Sequence, residues 1–223
     1  LCHEALNGCY KEEELTTMLN TAIMKLLRKG EKCPLEAGNY RPISLLSVFY
    51  KIGSGCITRR LETVMEKVIG PQQKAYSSQR NIGSILLNLL NMMDHVNKKK
   101  MESLILLVDF KKAFDSINTK FIDSALELFN FGESFRKWVR LFFSGRKTYL
   151  LLHGYLGECI NLEQGVPQGD VLSPYIFNIC VEILLLKICH TTTLTGVKFA
   201  KRESRAECFA DDTTVFIERT EAN

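Results

Sequence analysis

The stretch Leu104-Ile105-Leu106-Leu107-Val108-Asp109-Phe110-Lys111-Lys112-Ala113-Phe114-Asp115 decides the fold. Five apolar residues in a row are too few for a helix and show no alternation. Leu104 to Val108 therefore reads as a strand buried on both faces. A carboxylate, Asp109, stands at its C-terminal end. Downstream, Ala206 to Ala210 and Thr213 to Ile217 read as two β-segments joined at Asp211-Asp212, the tip of a hairpin whose arms carry Phe209, Val215 and Ile217. Each acidic position alone is ordinary turn chemistry. Together they are the oxygen donors that hard divalent cations take, with room left for water and substrate phosphates. Two metals held that way activate an attacking hydroxyl and neutralise a leaving pyrophosphate.

Working outward, the apolar residues Val48, Phe49, Ile52, Ile57, Leu61, Val64, Met65 and Val68 recur at helical steps, and Gly70-Pro71 ends that helix. A second helix carries Ile82, Ile85, Leu86, Leu89, Leu90, Met93 and Val96 on one face and runs into Lys98-Lys99-Lys100, a solvated end. Thr21 to Leu27 fits strand or helix equally, and Arg28-Lys29-Gly30-Glu31-Lys32 with Pro34 reads as a basic loop. Thr119 is the expected cap of one helix and Ser134 the start of another; Thr148 to Leu162 reads as a hairpin. The segment Gln164-Gly165-Val166-Pro167-Gln168-Gly169-Asp170-Val171-Leu172-Ser173-Pro174 combines two glycines and two prolines ahead of a helix. Such a loop is rigid yet approaches other backbone closely, and could pack against a nucleobase or sugar. Helices covering a strand-rich centre make the chain α+β.

Composition narrows the classes. At 223 residues with 46% hydrophobic side chains, the chain can bury a core without staples and is not disordered. The longest uncharged stretch, Asn81 to Met93, is shorter than the roughly 18 apolar residues of a membrane span, so no span and no membrane partner is expected. The eight cysteines include no C-x-x-C pair and read as reduced intracellular thiols; Cys2, His3 and Cys9 match no common zinc spacing. A net charge of +4 is compatible with a nucleic-acid partner but does not argue for one. The chain opens at Leu1 with no initiator Met and no leader, which reads as a fragment without a targeting signal, from the nucleus or cytoplasm.

Four segments then occur in order: Asn39-Tyr40-Arg41-Pro42-Ile43-Ser44-Leu45, Val108 to Asp115, Gly165-Val166-Pro167-Gln168-Gly169 with Ser173-Pro174, and Phe209-Ala210-Asp211-Asp212. The set resembles reverse transcriptases of non-LTR (LINE-type) retrotransposons, from about Ile23 to Ile217. The resemblance implies a right-hand polymerase, with a fingers-like region over 1–102, a palm over 103–223, the two partly interleaved, and no thumb in this chain. It implies metal ligands at Asp109 and Asp211, with Asp212 completing the catalytic carboxylates and the Phe110 carbonyl assisting. Arg41, with Arg28 or Lys29, is expected on the incoming triphosphate. Phe114 is expected under the sugar, and Gln168 and Gly169 around the nascent base pair. Arg80, Pro167 and Ser173 are expected along template and primer, and Asp115 as a brace of its turn. The implied cofactor is Mg²⁺, two ions, with Mn²⁺ as substitute; the implied partners are an RNA template, a DNA primer and deoxynucleoside triphosphates. Oligomeric state is left open. One departure is plain: Gln73-Lys74-Ala75-Tyr76 stands where the family has Gln-x-Gly-Phe.

Two further readings stay open from sequence. An RNA-dependent RNA polymerase shares the palm and the metal chemistry, but tends to carry an Asp that welcomes the 2′-hydroxyl where this chain has Phe114. A non-catalytic remnant that only binds nucleic acid is the other; the retained aspartates argue against it.

Overall fold

Hydrophobic spacing and chain punctuation set the elements of the computed structural model, which describes residues 2–76, 80–199 and 202–219. In chain order they are α1 (Cys2–Glu12), α2 (Thr17–Asn20), β1 (Thr21–Arg28), β2 (Tyr40–Leu45), α3 (Val48–Val68), α4 (Ile82–Lys99), β3 (Ser103–Val108), α5 (Ala113–Ser116), α6 (Thr119–Leu128), α7 (Glu133–Phe143), β4 (Arg146–Leu152), β5 (Tyr155–Leu162), α8 (Ser173–His190), β6 (Val197–Phe199), β7 (Arg202–Ser204), β8 (Ala206–Phe209) and β9 (Asp212–Glu218). The α+β class is as the sequence implies. The chain forms two compact units: Leu1–Thr63 with Phe114–Ile176, and Val64–Ala113 with Phe177–Asn223. The point 102/103 lies inside the second unit, where Val96 of α4 and Ile105 of β3 pack on one core.

The first unit is built on a sheet ordered β2-β1-β4-β5. The β1–β2 pair is antiparallel with Leu27 opposite Arg41, and β1 runs parallel to β4, which settles Thr21–Arg28 as strand. Its core is aromatic. The Tyr50 hydroxyl donates to the Phe142 carbonyl at 2.8 Å, and the two rings meet edge-on at 5.0 Å. The cap of α6 is Asn118, whose side chain accepts from the Lys120 N–H, and α7 begins at Glu133 after Gly132. Arg136 and Arg140 of α7 both pair with Asp123 of α6, each at 2.7 Å.

The second unit carries an antiparallel sheet ordered β3-β9-β8. Met92 of α4, Val197 and Phe216 form its buried centre, with Leu89, Val96 and Ile105 against them. Three apolar runs are less buried than their sequences suggest. The strand β3 lies at the sheet edge and exposes Leu104, Leu106 and Leu107 at 57, 47 and 72%, so it is not buried on both faces. In α4, Ile82, Leu86, Leu90 and Met93 are exposed beside the buried Met92. In α3, which passes from one unit to the other, Val48, Phe49 and Ile52 are exposed and the buried stripe starts at Tyr50.

Among the described residues one helix, α8, is long and apolar enough to cross a membrane by length and composition. The longest uncharged stretch does not find it, because Glu182 interrupts its apolar run. That glutamate is buried and accepts the Gly70 N–H at 3.0 Å, while Ile179 and Leu185 sit in the core. Burial also pushes the Cys180 thiol up to about 12, as suits a small core hydrophobe.

Candidate active site

The register of the second unit places the carboxylates. Val108, the last residue of β3, pairs with Thr213, so Asp109 leaves the strand beside Asp212, the first residue of β9. Phe209 closes the hairpin against Asp212, leaving Ala210-Asp211 as a two-residue turn. Asp109 and Asp212 are exposed and Asp211 is half-buried. The turn demands a left-handed residue, and Ala210 takes it at φ 57°, a conformation that costs an L-residue roughly 1–2 kcal/mol. The compensation comes from Gln73, wholly buried, whose side chain bonds both the N–H and the carbonyl of Ala210. Burial first and the Asp211 charge second push the Tyr76 hydroxyl up, which puts that phenol in the field of the turn.

No three His, Cys, Asp or Glu side chains among the described residues converge closely enough to hold a metal ion alone. The donor set nevertheless suits a hard divalent cation. It consists of carboxylates carried by residues at adjacent strand ends, and Mg²⁺ binds through one or two carboxylates completed by waters and substrate phosphates. Phe110 follows Asp109 beyond the end of β3, with its carbonyl the only donor it adds.

In the first unit the basic residues sit on the β1–β2 hairpin. Arg28 lies opposite Tyr40 and Arg41 opposite Leu27, so the two arginines belong to opposite faces. Both are exposed and without a partner among the described residues, whereas the Lys29 ammonium donates to the Gly38 carbonyl at 3.1 Å. The Gly-Pro loop is stitched to its neighbours. Gly165 N–H donates to Ile117 O and Val166 N–H to Phe114 O, both at 2.7 Å, while Ser44 N–H donates to Gln168 O at 2.8 Å. Gly169 has φ 115°, and a Cβ there would stand 2.8 Å from Ser44 O. Gln168 Nε2 donates to Asp115 Oδ1 at 3.3 Å, which ties the loop to α5. The loop borders a cleft of about 520 Å³ that also takes in Pro42, Ser44 and Arg146. Phe114, half-buried on α5, is tied to the loop through its carbonyl.

Of the three residues expected on template and primer, two have their polar groups bonded within the fold and the third is buried. Arg80 donates from Nη1 to the carbonyls of Gly70 and Gln73, at 2.6 and 2.8 Å, and from Nη2 to Ile69, so its fork closes the loop after α3. Ser173 is 1% exposed, and its N–H and hydroxyl both donate to Asp170 Oδ2 at the start of α8. Pro167 is buried. Sequence reasoning missed Arg146, which is buried and donates to the Gln164 and Gly165 carbonyls; burial lowers its guanidinium from the ordinary value. It also missed Gln73 as more than a pattern position.

Comparison with known proteins then decides the family. The profile described as "Reverse transcriptase (RNA-dependent DNA polymerase)" matches residues 27–222. The chain belongs to the reverse transcriptase family. Among relatives of this reverse transcriptase, the transposon TX1 149 kDa protein of Xenopus laevis is 26% identical over 94% of the chain and 16% of its own length. The RNA-directed DNA polymerase from mobile element jockey of Drosophila funebris is 27% identical over 90% of the chain and 21% of its own length. The R2 Pol polyprotein of Popillia japonica is 27% identical over 78% and 24%. These relatives make it a non-LTR, LINE-type reverse transcriptase domain, and the chain spans between 16% and 24% of their lengths. In structure it is similar to apo telomerase from Candida tropicalis, with a TM-score of 0.63 at 12% identity over 98% of this chain and 49% of that one. The fold is that of the fingers and palm of reverse-transcriptase polymerases. Reverse transcriptases generally use divalent metal ions.

Proposed function

We propose that this reverse transcriptase domain extends a DNA primer on an RNA template with deoxynucleoside triphosphates, as part of a retrotransposon protein. The observation that carries the reading is the placement of Asp109 and Asp212 at adjacent strand ends, with Asp211 in the turn between β8 and β9. Asp109 and Asp211 would hold two Mg²⁺ ions, helped by Asp212 and the Phe110 carbonyl. When bound, such ions lower the pKa of an attacking hydroxyl and neutralise charge on the phosphates. The chain's own residues bind and orient the rest. Arg41 offers its fork of donors to triphosphate oxygens; Arg28, on the opposite face of the hairpin, does not second it, and Lys29 would do so only by leaving the Gly38 carbonyl. Phe114 fills the volume that a 2′-hydroxyl would need and offers it no hydrogen bond. Gln168 and Gly169 line the nascent base pair. The family's polymerases make DNA, and the Phe114 ring favours that product over RNA.

The test is primer extension by the full-length protein with an RNA template, a DNA primer and Mg²⁺. Asp211→Asn is expected to abolish most of the extension rate while circular dichroism stays that of the parent. A folded Asp211→Asn variant that extends at the parental rate would refute the assignment.

A further inference from the structure

We propose that Gln73 is a positioning residue for the acidic turn, fixing Asp211 and Asp212 through the backbone of Ala210; this rests on the metal-binding reading of those aspartates. Gln73 is 0% exposed. Its Oε1 accepts the Ala210 N–H and the Ala75 N–H, each at 3.0 Å. Its Nε2 donates to the Ala210 carbonyl at 3.1 Å and contacts Cys208 Sγ at 3.2 Å. One planar carboxamide thus holds both peptide groups that flank the Ala210 Cα. The N–H reports one side of that Cα and the carbonyl the other, so the pair of bonds sets φ and ψ together.

That matters because Ala210 is left-handed and is not glycine. An alanine freed of the clamp favours the β or right-handed regions, and either would swing the next residue, Asp211, away from its place. The clamp is itself anchored. Gln73 bridges β8 at Cys208; Lys74 N–H donates to Cys208 O at 2.8 Å, and Cys208 N–H to Gln72 O at 2.9 Å. Arg80 holds the Gln73 carbonyl from the other side. A guanidinium, a carboxamide and one backbone residue thus stand in series behind the carboxylates. If Gln73 were only a satisfied core amide, its loss would cost stability and nothing more.

Gln73→Met keeps the volume and removes all the amide bonds. In the full-length protein, Mn²⁺ binding is read by electron paramagnetic resonance in a complex with RNA template, dideoxy-terminated primer and deoxynucleotide, where no turnover occurs. The expected result is Mn²⁺ bound about 10- to 100-fold more weakly, the range found when supporting partners of metal ligands are removed. Extension kcat should fall with it, and the template–primer KM should stay within about twofold of the parent. Phe216→Leu, a lesion in the core of the same sheet, should lower the melting temperature and leave Mn²⁺ binding alone. Parental Mn²⁺ affinity in folded Gln73→Met overturns the proposal. Should Gln73→Met fail to fold, Gln73→Glu decides: it keeps the acceptor for Ala210 N–H and lacks the donor for Ala210 O. Weakened Mn²⁺ binding then supports the role, and parental binding overturns it. Asp211→Asn, run in parallel, separates the two readings. If it too binds Mn²⁺ like the parent, the carboxylate assignment fails and takes this proposal with it. If it loses the ion while the Gln73 variants keep it, only the positioning role fails.

Discussion

Replacing Gly165 by alanine would place a Cβ 2.9 Å from both the Cα and the carbonyl oxygen of Asp115, on a residue whose φ is 82°. Two costs add. The left-handed conformation costs an L-residue roughly 1–2 kcal/mol. The clash is with backbone, so relief means withdrawing the loop from α5, which strains the bonds from Gly165 to Ile117 and from Val166 to Phe114. At about 1 kcal/mol net for each, the total comes to roughly 3–4 kcal/mol. Gly154 supplies the control. Its φ is 88° and nothing stands within 4 Å of an added Cβ, so Gly154→Ala carries the first cost alone. The difference between the two variants, about 2 kcal/mol, isolates the clash. For a chain of this length it corresponds to roughly 4–8 °C in melting temperature. Urea titrations and thermal melts by circular dichroism, run on both variants in one buffer, measure it. A Gly165→Ala variant no less stable than Gly154→Ala would refute the close approach of the loop to Asp115.

Other expectations concern the arginine network, the sugar and the triphosphate. The hydrogen bond from Arg136, seconded by Arg140, holds the Asp123 carboxyl below its ordinary value. A depressed folded-state pKa contributes stability that is present above the unfolded value near 4 and lost as pH falls through the folded one. Asp123→Asn should therefore destabilise by about 1 kcal/mol at neutral pH. In paired urea titrations the gap to the parent should close below about pH 4. Phe114→Val should raise ribonucleotide over deoxynucleotide kcat/KM by the equivalent of about 1–3 kcal/mol if the ring is a steric gate. An unchanged ratio in a destabilised protein would make Phe114 core filling only. Arg41→Ala should raise the nucleotide KM far more than it weakens template binding; filter-binding and steady-state kinetics give the two numbers, and the reverse order would move Arg41 to the template.

The parts of the fold legible in the sequence are those fixed by local chemistry. Gly70-Pro71 ends α3, and the apolar spacing from Ile82 to Val96 marks α4. The β8–β9 hairpin turns at the acidic pair, and the carboxylates follow from it. Burial was less legible, because it depends on what the chain brings alongside. Leu104 to Val108 has the composition of an inner strand, yet it is an edge strand because only β9 pairs with it. The same limit hid the clamp. Gln73 and Ala210 are 137 residues apart, and no local pattern links a glutamine before a disrupted Gly-Phe position to a turn that far downstream. Arg80 and Ser173 show the converse: polar types that suit nucleic acid are consumed by carbonyls and a carboxylate inside the fold.

The interleaving of the two units constrains how the chain acquires its structure during synthesis. Each sheet joins distant segments, with Thr21 against Lys147 in one and Val108 against Thr213 in the other. The nascent chain therefore emerges with β3 made and its partner still unsynthesised for about 100 residues, roughly 5–20 s at ribosomal rates. For that interval Leu104, Leu106 and Leu107 sit on a strand with neither edge paired, a template for a neighbouring nascent chain. Folding is then late and high in contact order rather than progressive. A premature stop anywhere before β9 leaves Asp109 on a strand that has nothing to pair with.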